Sequence, residues 1–267
     1  MRSKKNVEYK YTKKELCPYL KFGNDFNNVK VKNYQVLQAV LYRLKTGCQW
    51  RELPMKQFFR VRYNWQSVYY HYQKWCKDGS WERLWVVVLA KYKHELDMSS
   101  IQLDGTHTPT KRGGEAVDYQ ARKKCKTSNL LILTDSQGIP IACSEPIAGN
   151  HNDAYQLEEN VNTMLVSLQK SGINTAGLFL NADAGFDTKG FRDFCEGNEI
   201  NSNIAINPRN GNAENYLVDE ELYKCRFVIE RTNAWLDAFK ALLVRFETNK
   251  IHWKSLHLLA FIVILLR

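Results

Sequence analysis

Three acidic residues stand out in this sequence for the chemistry they could do together. Asp104 follows the run Ser100-Ile-Gln-Leu, and Asp183 follows Gly177-Leu-Phe-Leu-Asn-Ala. Both runs read as short strands ending in an acid, where an open sheet exposes side chains to a crevice. Glu230 lies in a stretch that reads as one long final helix beginning near Asp219, able to fold back over that crevice. Three carboxylates suit a hard ion such as Mg²⁺. Two such ions about 3.5–4 Å apart can activate a nucleophile and stabilise a leaving oxygen in in-line phosphodiester chemistry. On spacing alone a second reading stays open, in which the strand-end aspartates only cap turns.

The neighbours of these acids carry plain readings as well. Asp187 sits four positions after Asp183 and is expected to cap the following helix. Arg226 stands one helical turn before Glu230 and could simply pair with it. His107 and His151 lack a partner motif. His252 and His257 are not at metal-ligand spacing and read as packing residues in an apolar helix, and Trp235 reads as core or as a wedge against an unpaired base.

The elements that must position the acids come in two grammars. Residues 1–32 are rich in Lys and Asn and read as an arm. Val36, Leu37, Val40, Leu41 and Leu44 then mark a helix over about 34–45, stopped by Gly47. Trp65, Val68, Tyr69, Tyr72 and Trp75 mark a second over about 65–77. Ser80 is expected to cap a third that runs to about Leu96. Three short helices fit a helix-turn-helix-like module or a generic bundle. Arg60, Arg62, His71, Gln73 and Lys74 are the candidates for its wet face. From Ser99 the pattern changes to a strand, a hairpin (130–134 and 139–143), a helix (153–169), a strand, a helix (188–196), a short strand (203–206) and the final helix. Three strands in series followed by alternation predict a mixed α/β sheet.

Charge divides along the same line. The 267 residues carry a net charge of +10. Residues 1–98 hold 20 Lys and Arg against 8 Asp and Glu, whereas residues 99–267 hold 18 against 20. The positive excess therefore sits in the first third, as for a polyanion binder joined to a near-neutral body. A solubilising surface is the plain alternative. Seven cysteines, odd in number and without a Cys-x-x-Cys pair, argue against a disulfide framework or a zinc site and for a reducing cytosol. The longest apolar run, 256–266, is too short to span a membrane, and the basic N-terminus has no apolar segment behind it to suggest a secretory signal.

Several ordered motifs across the chain give it a family likeness. Leu41-Tyr-Arg-Leu-Lys-Thr-Gly-Cys-Gln-Trp-Arg-Glu-Leu-Pro54, Trp65-Gln-Ser-Val-Tyr69, Leu103-Asp-Gly-Thr106, Gly149-Asn-His-Asn-Asp153, Asn181-Ala-Asp-Ala-Gly-Phe-Asp187 and Tyr223-x2-Arg226-x3-Glu230 recur in that order. Together they resemble the DDE transposases of bacterial insertion sequences, in particular the insertion-sequence-five group. The resemblance implies a ribonuclease-H-like core over residues 99–267, preceded by a basic helical domain over residues 1–98 that binds terminal inverted repeats. It implies Asp104, Asp183 and Glu230 as the catalytic and metal-holding set, with two Mg²⁺ ions for which Mn²⁺ can substitute. Tyr223, Arg226, Arg122, Lys123, Lys124, Arg60, Arg62 and Lys74 are the expected DNA contacts, with Arg226 as a fork on phosphate. Double-stranded DNA, a homodimer or larger synaptic complex, no membrane partner and a bacterial cytoplasmic, nucleoid-associated location follow as expectations.

The chain departs from the pattern where some related groups carry Lys seven positions after the Glu; here that residue is Asp237, with Lys240 three further on. The loop after Asp104 also reads Tyr119-Gln-Ala-Arg122 in place of Ser-Arg-Gly-Gly. The gap from Asp183 to Glu230 is 47 residues, too short for a large inserted subdomain. Two rivals remain: a non-catalytic DNA-binding regulator that keeps the fold, and a ribonuclease-H-like nuclease without strand transfer.

Overall fold

Apolar residues at helical spacing build the first third. The computed structural model describes residues 15–20, 31–210 and 217–267, so most of the expected arm lies outside the described residues. Helix α1 spans Asn33–Thr46 and buries Val36, Leu37, Val40 and Leu44. It ends at Gly47 in the left-handed region (φ 67°). A Cβ there would lie 3.0 Å from the Lys240 backbone carbonyl, so only glycine gives both the turn and the approach. A single turn, α2 (Met55–Phe58), precedes the exposed Arg60 and Arg62. Helices α3 (Trp65–Lys77) and α4 (Ser80–Tyr92) follow.

Two expectations are corrected in this region. Ser80 is the first residue of α4 rather than its cap, and the Asp78 carboxylate accepts both its N–H and its hydroxyl. His71 is buried, because it falls on the same side of α3 as Tyr72 and Trp75 and leaves the wet face to Gln73 and Lys74. Of the aromatic residues that mark α3, Tyr72 and Trp75 are buried in the core and Trp65 and Tyr69 partly so; Trp81 and Trp85 on α4 are buried beside them.

The remainder is a mixed sheet, formed by β1 (Ser100–Pro109), β2 (Asp118–Gln120), β3 (Cys125–Thr134), β4 (Pro140–Cys143), β5 (Ile147–Ala148), β6 (Phe179–Ala182) and β7 (Asn201–Ile204). Its order is β2-β3-β1-β6-β7, with β4 and β5 also on β3. The β1–β3 pair is antiparallel, and β1–β6 and β6–β7 are parallel. An antiparallel hairpin followed by parallel strands added on the far side of β1 is the ribonuclease-H-like arrangement. The crossover helices are α5 (Leu157–Lys170) and α6 (Lys189–Gly197). The strand pattern misses β2 and β5, which are too short to show alternation.

The predicted long final helix is broken. It divides into α7 (Glu220–Lys224), a 3-10 turn at Cys225–Phe227 and α8 (Val228–Asp237). A turn, α9 (Lys240–Leu243), then leads to α10 (Lys250–Leu265). From Ser255 to Leu265 helix α10 is buried on every side because it runs between α3, α4 and the sheet, so no polar stripe is required there. All seven cysteines are free. No helix among the described residues is long and apolar enough to cross a membrane.

Candidate active site

A ladder of buried amides sets the register beneath the candidate acids. Gln102 on β1 pairs in parallel register with Asn181 on β6, and Asn181 with Asn203 on β7. The Asn181 amide donates to Gln102 Oε1 (2.8 Å), and the Asn203 amide to Asn181 Oδ1 (2.7 Å). Asn203 also exchanges hydrogen bonds with the backbone of Asp219, which caps α7. All three amides are buried. Buried amides are costly unless partnered, and here each partner is the next rung. The ladder thus ties β1, β6, β7 and the start of α7 together two residues before Asp104 and Asp183.

Beyond the ladder the β1–β6 pairing stops, but β1 runs on to Pro109. Asp104 is therefore a mid-strand residue opposite Ile132 rather than the strand-end acid its sequence suggested, whereas Asp183 directly follows β6. The two acids face one cation. Arg226, on the 3-10 turn, donates through Nη2 to Asp104 Oδ1 and to Asp183 Oδ2, at 3.3 Å each. Burial pushes the Asp104 carboxyl up to about 6; Arg226 pulls it down and Asp183 pushes it further up. Asp183 also accepts the Gly185 N–H through Oδ1 (2.8 Å). The turn-capping reading and the site reading are therefore both met, one oxygen each. The Arg226 Nε is buried without a hydrogen-bond partner among the described residues.

Gly105 has its own reason to be glycine. A Cβ at that position would lie 2.4 Å from Asp153 Oδ1. The same oxygen accepts from Asn129 Nδ2 (2.7 Å) and lies 3.8 Å from His107 Nε2. The segment before α5 thus packs its acid against β1 one residue past Asp104. Neither the amide ladder nor Asp153 was singled out for the site by sequence reasoning. The signal available was the polar residue at Gln102 and at Asn181, each inside an apolar strand.

The expected residues divide as follows. Asp104, Asp183 and Arg226 come together. Glu230 lies on the exposed side of the first turn of α8, and no ion pair or hydrogen bond joins it to either aspartate. Arg226 pairs with the two aspartates rather than with Glu230. Tyr223 is half-buried on α7. Arg122, Lys123 and Lys124 are exposed at the turn between β2 and β3, with Lys123 Nζ donating to His107 O (2.6 Å). Arg60 and Arg62 are exposed and Lys74 is partly so, all in the helical region. Asp187 does not cap the next helix: Thr188 does, while Asp187 is buried against Arg192 (2.8 Å) and accepts the Asn207 N–H. His252 and His257 are buried packing residues, and His151 stacks on Tyr155. Trp235 is partly buried against the core, with Arg231 over its ring.

Two hard-oxygen donors that share a cation fit Mg²⁺ or Mn²⁺ in kind, and the guanidinium stands where positive charge is wanted. The third expected donor is not joined to them. Among the described residues no group of three or more His, Cys, Asp or Glu side chains is arranged to hold a metal ion.

Residues 96–266 match the family model described as "Transposase DDE domain", and residues 14–85 match one described as "Putative transposase of IS4/5 family (DUF4096)". A comparison with curated proteins gives no significant match. Among solved structures, the Mos1 transposase paired-end complex with left transposon end is 13% identical, with a TM-score of 0.31, covering 86% of this chain and 76% of that one. The Mos1 mariner paired end complex with Mn is 16% identical, with a TM-score of 0.31, covering 84% and 74%.

Proposed function

Because this chain belongs to the transposase DDE domain family, we propose that it binds the terminal inverted repeats of an insertion sequence and catalyses metal-dependent DNA strand cleavage and strand transfer. The observation that carries this reading is the Asp104–Arg226–Asp183 bridge: two acids from adjacent strands of a ribonuclease-H-like sheet, sharing one cation where the β1–β6 pairing stops.

In this reading residues 99–267 form the catalytic domain, and residues 1–98 form the basic domain that holds the repeat, largely through phosphate contacts. Asp104 and Asp183 would hold two Mg²⁺ ions, with Mn²⁺ able to replace them, and Glu230, four residues after Arg226, would complete the donor set. When bound, such ions lower the pKa of water and stabilise a leaving oxygen. The chain therefore needs no side-chain general base. Arg226, with its unpartnered Nε, would grip a phosphate through a guanidinium fork, and Tyr223 would contact the same strand. Arg122, Lys123 and Lys124 supply exposed positive charge on the sheet side; Arg60, Arg62 and Lys74 supply it on the helical side. Two ends must be joined, so a homodimer or larger synaptic complex is proposed, on DNA in the bacterial cytoplasm.

The separation of Glu230 from the aspartates is the observation that favours a non-cutting regulator as the second reading. One assay separates the possibilities. Purified protein is mixed with a labelled repeat duplex, a supercoiled target and Mg²⁺. Nicking at the repeat boundary with joined products supports the transposase, nicking without joining supports a nuclease, and binding without nicking supports the regulator.

A further inference from the structure

The helical region and the sheet region are tied by polar contacts that cross the apolar core between them. Arg43 on α1 meets Glu247 through Nη2 and Oε1 at 2.7 Å, with both side chains almost fully buried. Tyr72 on α3 donates to His252 O on α10 (2.6 Å), and Trp85 on α4 donates through Nε1 to Ile141 O on β4 (3.1 Å). The end of α1 touches α9 backbone to backbone at Gly47.

The ion pair differs from the other ties in its energetics. Arg43 Nε and Nη1 and Glu247 Oε2 are buried without hydrogen-bond partners among the described residues. A buried pair with unfilled polar atoms gains little over an apolar pair of similar volume, because desolvation opposes the attraction. Its directional character is what an apolar pair lacks. Glu247 in turn leads to the strand that bears Asp104. Its backbone oxygen accepts from Arg245 Nε (2.8 Å), while Arg245 N–H donates to Pro109 O and Lys111 N–H to Arg245 O, extending the sheet past the end of β1. The buried Arg245 guanidinium reaches on to Ser128 Oγ on β3 and to the carbonyls of Glu115 and Ala116.

We infer that Arg43 and Glu247 are positioning residues that hold the repeat-binding helices in fixed register with the acidic pair, and so set which phosphodiester is cut relative to the bound sequence. This rests on the function proposed above. Displacements of about 1 Å far from the reacting atoms can cost about a hundredfold in rate, so a loosened register should be visible as misplaced cutting.

The test uses the full-length protein and a 5′-labelled duplex carrying the terminal repeat that flanks the gene, with Mg²⁺, and reads the cut position at single-nucleotide resolution. In Glu247→Gln, repeat binding is expected to stay within about twofold while the ratio of correct to neighbouring cuts falls about tenfold. The charge-swapped double variant Arg43→Glu/Glu247→Arg should restore much of that ratio. The apolar double variant Arg43→Leu/Glu247→Leu separates positioning from stability: it should unfold no more easily than the wild type yet scatter its cuts. Wild-type cut placement by a folded Arg43→Leu/Glu247→Leu protein, or by Glu247→Gln, would overturn the inference. A wild-type protein that binds and never cuts would instead sink the function on which it rests.

Discussion

Asn181 and Gln102 share one buried hydrogen bond, 2.8 Å long, across the parallel pair β6–β1, and each lies two residues before a candidate catalytic aspartate. Asn181 also accepts from Asn203, so it is the middle rung of the ladder. Replacing it with Leu would leave Gln102 Oε1 and one N–H of Asn203 unpaired in the core, while Asn203 keeps its bonds to the Asp219 backbone. Unsatisfied buried polar groups cost about 1–3 kcal/mol each. Asn181→Leu is therefore expected to lower unfolding stability by about 2–5 kcal/mol, measured by denaturant titration. A stability within experimental error of the wild type would show that the ladder does not set the register.

Gly105→Ala is expected to act through Asp153. The new Cβ would sit 2.4 Å from the Asp153 carboxylate, so that side chain must move and release Asn129. A loss of about 1–3 kcal/mol follows from overpacking. The double variant Gly105→Ala/Asp153→Ala removes the clashing atoms and should recover part of the loss. No recovery in thermal melts would place the cause elsewhere.

The pH dependence follows from Asp104, whose carboxyl is raised from 3.8 to about 6 in the folded protein. Between those values the folded state holds a proton that the unfolded state has lost. Stability of the metal-free protein therefore falls as pH rises through that window and levels off above it, with Asp104 contributing about 3 kcal/mol of the change. Asp104→Asn should flatten this part of the curve, as read by denaturation in a chelating buffer. Added Mg²⁺ should stabilise the wild type more at pH 7 than at pH 5, because the ion competes with that proton. Equal stabilisation at both values would argue against Asp104 as a ligand.

The exposed turn at Arg122, Lys123 and Lys124 is expected to serve affinity rather than folding. Replacing all three with Ala should leave the melting curve unchanged and reduce the salt slope of DNA binding by about 2–3, since each phosphate contact contributes about 0.9. An unchanged slope would remove these residues from the DNA interface.

Much of this fold is legible in the sequence because its hydrophobic periods are clean. The spacing of Val36 to Leu44 and of Trp65 to Trp75 yields α1 and α3, the run 100–104 yields the first half of β1, and the expected hairpin at 130–134 and 139–143 yields much of β3 and β4. Where tertiary contacts decide, local pattern fails. Nothing in residues 219–237 announces the 3-10 turn at Cys225–Phe227 that carries Arg226 to both aspartates, and helical spacing alone pairs Arg226 with Glu230 instead. Asp187 follows the same rule. It has the position of a cap, yet Arg192, which needs a buried partner, claims it. Asp183 was legible as a strand-end acid; Asp104 was legible as an acid after a strand-like run, but not that β1 continues past it to Pro109, because its pairing with β3 decides that. The amides that align them and the Asp153 carboxylate behind Gly105 were not legible, because their partners lie tens of residues away.

The central claim is that Asp104 and Asp183 are the heart of a metal-dependent DNA-cutting site. The most direct measurement compares wild type, Asp104→Ala and Asp183→Asn for Mg²⁺-dependent nicking of the repeat duplex, with repeat binding followed in parallel by fluorescence anisotropy. The account predicts nicking at the repeat boundary by the wild type and its loss in both variants, with binding unchanged. Nicking that persists in folded variants would contradict it.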